Sequence, residues 1–165
     1  MNPNMRNVKL RGVMEDLGFR NVETVISSGN VVFDADSSSA GALEAKIEAA
    51  WPEQLGFQST TFVRTRKQLQ GLLENDPFEG RDDNESGRLQ TTFLKHEPDH
   101  RIEVPFTPSE GDYTIVSVGD RVVCSTVDLT GSRTPGLMRW LEQTFGTEIT
   151  TRTWKTLNRI VQRMN

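Results

Sequence analysis

Arg152-Thr153-Trp154-Lys155, followed by Arg159 and Arg163, is the stretch of this chain best suited by residue type and spacing to holding an anion. Residues 149–165 include no acid, and positions 155, 159 and 163 recur every four residues, which sets them on one helix face. Guanidinium groups meet phosphate oxygens bidentately, and an indole offers a face on which a base can stack. Arg64-Thr65-Arg66 repeats the Arg-Thr pair earlier in the chain. In both places a strand is expected to hand over to a helix, so free helix amides and a guanidinium would share an anion. The competing reading is a solvated helix face whose cations favour the helix C-terminus, with Trp154 a core anchor beside Leu157, Ile160 and Val161.

Other reactive residue types are sparse. Ser28-Gly29-Asn30 places a serine in a strand-to-strand turn, whereas a nucleophile elbow needs G-x-S-x-G between a strand and a helix. Turn chemistry accounts for that motif. His96 and His100 share a polar loop without a cysteine or third histidine nearby, a poor metal set. The single cysteine, Cys124, excludes an intramolecular disulfide and reads as a small apolar residue packed in a sheet. There is no P-loop and no G-x-G-x-x-G after a strand, so no nucleotide cofactor is expected, and no catalytic set or metal site is assigned.

The elements that would position the arginines come in two similar sets. Thr24 to Phe33 reads T-V-I-S-S-G-N-V-V-F, two β-rich runs around a polar turn, and Thr114 to Cys124 echoes it 90 residues later with Arg121 as one extra residue. Arg64-Thr65 matches Arg152-Thr153 at an offset of 88, and Trp51 matches Trp140 at 89. Each half therefore reads hairpin, helix, strand, helix. Helices are expected over Asn7 to Leu17 with a stop at Gly18, from an N-cap in Ser37-Ser38-Ser39 through Leu43, Ile47 and Trp51 to just before Pro52, and after the Thr65-to-Gln68 capping box. Strands are expected at Ser59 to Arg64, Leu89 to Lys95 and Thr147 to Arg152. A helix is expected after the N-cap and proline of Thr134-Pro135, and another from Trp154. The stretch from Glu97 to Gly111 reads as irregular.

Composition agrees with a polar globular protein. The 165 residues are 35% hydrophobic and 25% charged, with mean hydropathy −0.52, net charge −4 and pI near 5.3. No run approaches the roughly 18 apolar residues of a membrane helix, and no signal peptide precedes the first element, so a soluble cytoplasmic protein without a membrane partner is expected. Residues 1–87 hold 9 basic and 14 acidic side chains, residues 88–165 hold 10 and 9, so the positive end is local.

L-G-F at Leu17 to Phe19, the hairpin at Thr24 to Phe33, D-P-F at Asp76 to Phe78 and T-T-R-T-W-K-T-L at Thr150 to Leu157 resemble the uncharacterised proteins grouped as domain of unknown function 1697. The resemblance implies two ferredoxin-like units in tandem and brings no established activity. Family members usually open with a hydrophobic strand and a Gly-rich turn that this chain lacks, and Lys155 stands where asparagine is common. The reading is therefore an α+β protein of two tandem ferredoxin-like (βαββαβ) units, the first without its opening strand: residues 1–78, a linker at 79–87, and residues 88–165. The gap in the first unit closes by rearrangement, is filled by another chain, or leaves that half loose.

The leading function is a non-catalytic binding module for a small anion or nucleic acid, using Arg152, Thr153, Trp154, Lys155 and Arg159, with Arg64, Thr65 and Arg66 as the equivalent place. An enzyme acting on a small phosphorylated or carboxylated metabolite, and an oligomeric structural partner that forms a homodimer, stand as alternatives.

Overall fold

In the computed structural model the described residues are 3–27, 29–36, 39–109, 111–131 and 136–164. The chain is α+β. It divides into two compact units, one running up to Gln70 and taking in the C-terminal residues from Arg159, the other spanning Gly71–Asn158. None of the helices among the described residues is long and apolar enough to cross a membrane.

The first unit begins with α1 (Asn7–Asp16), which buries Leu10, Val13 and Met14 on one face. Gly18, at φ +88, ends it as its spacing predicts, with the amides of Gly18 and Phe19 returning to the carbonyls of Glu15 and Met14. Strands β1 (Arg20–Val25) and β2 (Asn30–Asp34) form the expected antiparallel hairpin. Their connection is residues 26–29 rather than a two-residue turn, because Asn30 is already paired with Val25 and its side-chain amide donates to the Val25 carbonyl. Ile26 and Gly29 supply the left-handed conformations, and Ser28 lies outside the described residues.

Helix α2 (Ala40–Leu55) is capped by the Ser39 hydroxyl, which accepts the Ala42 amide; Ser37 and Ser38 lie outside the described residues. It runs through Pro52 and stops at Gly56, φ +74. The expected break before Pro52 does not occur: proline removes one amide near the end of the helix, which stops three residues later at Leu55 before a further turn is needed. Ile47, Ala50 and Trp51 pack with Leu10, Val13, Met14, Phe19 and Val22 as the core of this unit.

Residues 57–65 follow without a strand. The strand expected at Ser59 to Arg64 does not form among the described residues: a strand is defined by its ladder, and the described sheet of this unit pairs β1 with β2. The capping box then opens α3 (Arg66–Asn75) as its residues predict. Gln68 Oε1 accepts the Thr65 amide at 2.8 Å, and Thr65 Oγ1 accepts the Gln68 amide at 3.2 Å.

The second unit is built on a four-stranded antiparallel sheet of β3 (Gly87–Leu94), β4 (Tyr113–Gly119), β5 (Val122–Asp128) and β6 (Ile149–Thr153), in the order β4-β5-β3-β6. This is the spatial order of a split βαβ arrangement, with α4 (Leu137–Phe145) crossing from β5 to β6. Between β3 and β4, where a βαββαβ pattern has a helix, an irregular segment runs as its prolines predict. The β4–β5 turn is Asp120-Arg121, both at positive φ, so Arg121 is the second turn residue of a two-residue hairpin and Gly119 closes the strand. Thr134 and Pro135 lie outside the described residues, and α4 is described from Leu137.

The polar stretch 79–87, read from its composition as a linker, lies inside this second unit. Phe78, wholly buried with Leu89 and Cys124, anchors its start, and Asp83 accepts the Leu89 amide at 2.6 Å. The last element, α5 (Trp154–Arg163), begins where the sequence places it.

Candidate functional site

The two Arg-Thr junctions have the same local build. Arg64 Nη1 donates to the carbonyl of Val63 at 2.9 Å, and Arg152 Nη1 donates to the carbonyl of Thr151 at 3.0 Å. Each threonine caps the helix that follows, Thr65 at Gln68 and Thr153 at the Thr156 amide, 3.1 Å. The caps satisfy one amide in the first turn of each helix, so fewer remain for an anion than the sequence suggests.

Beyond that shared pattern the junctions differ. In the second unit Arg152 is half-buried and also donates to Thr150 Oγ1 at 2.7 Å. Burial pushes its pKa down, though a guanidinium remains charged near neutrality. Trp154 turns its ring edge-to-face against Phe78, with centroids 4.9 Å apart, and packs with the cluster of Phe78, Leu89 and Cys124. Lys155 is exposed.

In the first unit Arg64, Thr65 and Arg66 line a groove of about 520 Å³. Residues 31–36 of β2 and its continuation line it too, with Leu43 of α2, Arg20 and Asn21 of β1, and Arg163 and Met164 at the chain's end. Four arginines thus meet two aspartates, Asp34 and Asp36. Arg20 pairs with Asp36 at 2.9 Å, Asn21 donates to Asp34 at 2.7 Å, and Arg163 pairs closely with Glu23. Such exposed pairs contribute about 0–1 kcal/mol each, so the guanidinium groups can exchange partners at little cost. Asp36, 97% exposed and paired, is not the desolvated acid that acid–base catalysis uses. Arg159 is exposed in this same unit.

Sequence reasoning singled out Arg64, Thr65 and Arg66 and placed Arg163 in a periodic stripe, but it did not connect that stripe to the groove. Arg20 was missed altogether. No local signal marks it, since only the fold brings residue 20 to residues 64 and 163.

The remaining reactive types are accounted for locally. His96 pairs with Glu148 at 3.0 Å on the surface. No group of three metal-ligating side chains occurs among the described residues. Cys124 is wholly buried, and burial pushes its thiol pKa up against smaller opposing contacts from the Ser117 and Thr91 hydroxyls. A raised folded-state pKa adds stability that is present below the unfolded pKa and is lost as pH rises toward the folded one. Cys124 should therefore resist alkylation at pH 8 in the native protein and react promptly in denaturant. Equal alkylation rates in the two states would disprove its burial.

A family model described as protein of unknown function (DUF1697) matches residues 2–123. Among solved structures the fold is shared with the conserved bacterial protein SP0830 from Streptococcus pneumoniae, at 23% identity and a TM-score of 0.71, the match covering 99% of this chain and 93% of that one. No curated protein matches the chain.

Proposed function

The chain belongs to the DUF1697 family of proteins of unknown function, and from the geometry of its site we propose that it is an anion-binding module without chemistry of its own, acting through the groove of its first unit. The observation that carries this reading is the convergence of arginines 20, 64, 66 and 163 from three separate stretches of chain on one groove. Arginine forks match phosphate and carboxylate oxygens bidentately, and the first turn of α3 adds its partial positive charge beside Arg66. The ligand class is a phosphate-bearing small molecule or a short nucleic acid segment. With a net charge of −4 the protein repels polyanions at long range, so recognition is confined to the groove and falls steeply with salt.

Fluorescence anisotropy of a short mixed-sequence RNA, and competition by inorganic polyphosphate, test this at low and at physiological salt. Arg64→Ala with Arg66→Ala should weaken binding at least about tenfold, the loss of more than one charge-assisted contact. Arg152→Ala with Lys155→Ala should leave it within about twofold, because Arg152 is committed to Thr150 and Thr151. The reverse ranking would move the site to the second junction, and absence of binding at low salt would end the anion reading.

A further inference from the structure

We infer that the groove of the first unit takes a small amphiphile, a phosphate monoester with an aliphatic body, in preference to polyphosphate or nucleic acid. The inference rests on the anion reading and narrows it to one ligand class.

The charges set the size of the head. Arg20, Arg64, Arg66 and Arg163 line the groove beside Asp34 and Asp36, which leaves two positive charges, the complement of one phosphate monoester dianion. A run of phosphates would set its further charges against the two aspartates, in a protein of net charge −4. Asp34 is fixed in place. Asn21, at φ +49 in the bulge of β1, donates to it at 2.7 Å, and Arg20 is its register partner. Bulges re-aim side chains, and this one holds an acid where a second phosphate would have to sit among the arginines. Arg64, tied to the Val63 carbonyl, contributes its charge alone. Arg66, exposed at the start of α3, makes no ion pair among the described residues, so it meets the head without giving up a partner.

The rest of the lining sets the body. Val31, Phe33 and Ala35 alternate along β2 and its continuation, and with Leu43 of α2 and Val63 they line the groove while packing against the core of their unit. Each of the five is half-buried, which leaves apolar surface for a ligand to cover. A purely ionic ligand leaves that surface in water, whereas an aliphatic body removes it. Phe33, the one ring among the described residues that line the groove, already packs on Phe19 with centroids 4.5 Å apart. Single-stranded nucleic acid needs a series of open ring faces instead. At about 520 Å³ the groove has the size of a small-molecule site, and its apolar lining with a few charged groups is the usual make-up of one.

The test is calorimetric titration of the full chain at pH 8 and low salt with butyl, hexyl and octyl phosphate below their micellar concentrations, beside inorganic phosphate, polyphosphate and hexanol. Affinity should rise about twofold or more per methylene, and hexyl phosphate should bind at least about tenfold more tightly than inorganic phosphate. Leu43→Ser should flatten the chain-length series, and Arg66→Ala should weaken every member alike; the series in the unmodified protein decides the matter if the serine variant fails to fold. Alkyl phosphates that bind no better than inorganic phosphate, or polyphosphate that binds more tightly than octyl phosphate, overturn the inference and leave the anion reading standing. Hexanol that matches hexyl phosphate, or no binding by any of the anions, overturns both. Retention of the protein on vesicles containing phosphatidic acid, undisplaced by octyl phosphate, would assign the head to a membrane lipid and overturn the small-molecule assignment.

Discussion

Phe78→Ala should lower the unfolding free energy of the Gly71–Asn158 unit by about 3–5 kcal/mol, the range for emptying a large aromatic site in a core. Phe78 has no exposed surface, packs with Leu89 and Cys124, and meets Trp154 edge-to-face. The loss sums three effects: the transfer free energy of the ring, the unfilled space it leaves, and an aromatic pair worth roughly 0.5–1.5 kcal/mol. The chain around it makes compensation difficult. Asp76 and Glu79 flank it at positive φ, and Asp76 accepts the amides of Phe78 and Gly80, so the backbone is fixed by a local turn. Urea unfolding should show a large drop in midpoint with Phe78→Ala and a smaller one, about 1–2 kcal/mol, with Phe78→Leu, which keeps most of the apolar volume. The alanine variant should also expose Cys124 to alkylation in buffer alone. A change below about 1 kcal/mol would mean that the site collapses onto the missing ring, and that Phe78 does not anchor this unit.

The features legible in the sequence were those fixed by neighbours in the chain. T-R-K-Q at 65–68 predicts a capping box because both partners of each hydrogen bond lie within one helical turn, and both bonds are present. Gly18 and the two hairpins follow from equally local requirements on φ and on side-chain alternation. Features that depend on a remote partner were not legible. Residues 59–64 have strand-forming side chains, but a strand also needs a ladder, and among the described residues the sheet of this unit consists of β1 and β2. Acidic residues 79–87 look like a linker until Phe78 and Leu89 are seen to share a buried cluster. Arg20 and Arg163 belong to one groove only because the residues after Arg159 group with the first unit.

Glu44→Ala should cost the first unit about 2–3 kcal/mol, and Glu44→Gln only about 1 kcal/mol. Glu44 is 4% exposed, on α2, and its carboxylate accepts the amide of Val63. Alanine leaves that amide without this acceptor in a partly buried position and opens a small void, whereas glutamine keeps an acceptor oxygen and most of the volume. The distribution of the damage separates a local tie at Val63 from general packing. In the second unit the equivalent segment is held along β6 by its pairing with β3, so one side chain there carries little of the load. In the first unit residues 61–65 stand outside the β1–β2 ladder, and the Glu44 carboxylate holds the Val63 amide. Hydrogen exchange in Glu44→Ala should therefore accelerate first in residues 61–65, with α1 and the β1–β2 hairpin affected far less. Uniform acceleration across α1, β1 and β2, or equal losses for the alanine and glutamine variants, would make Glu44 a general packing residue.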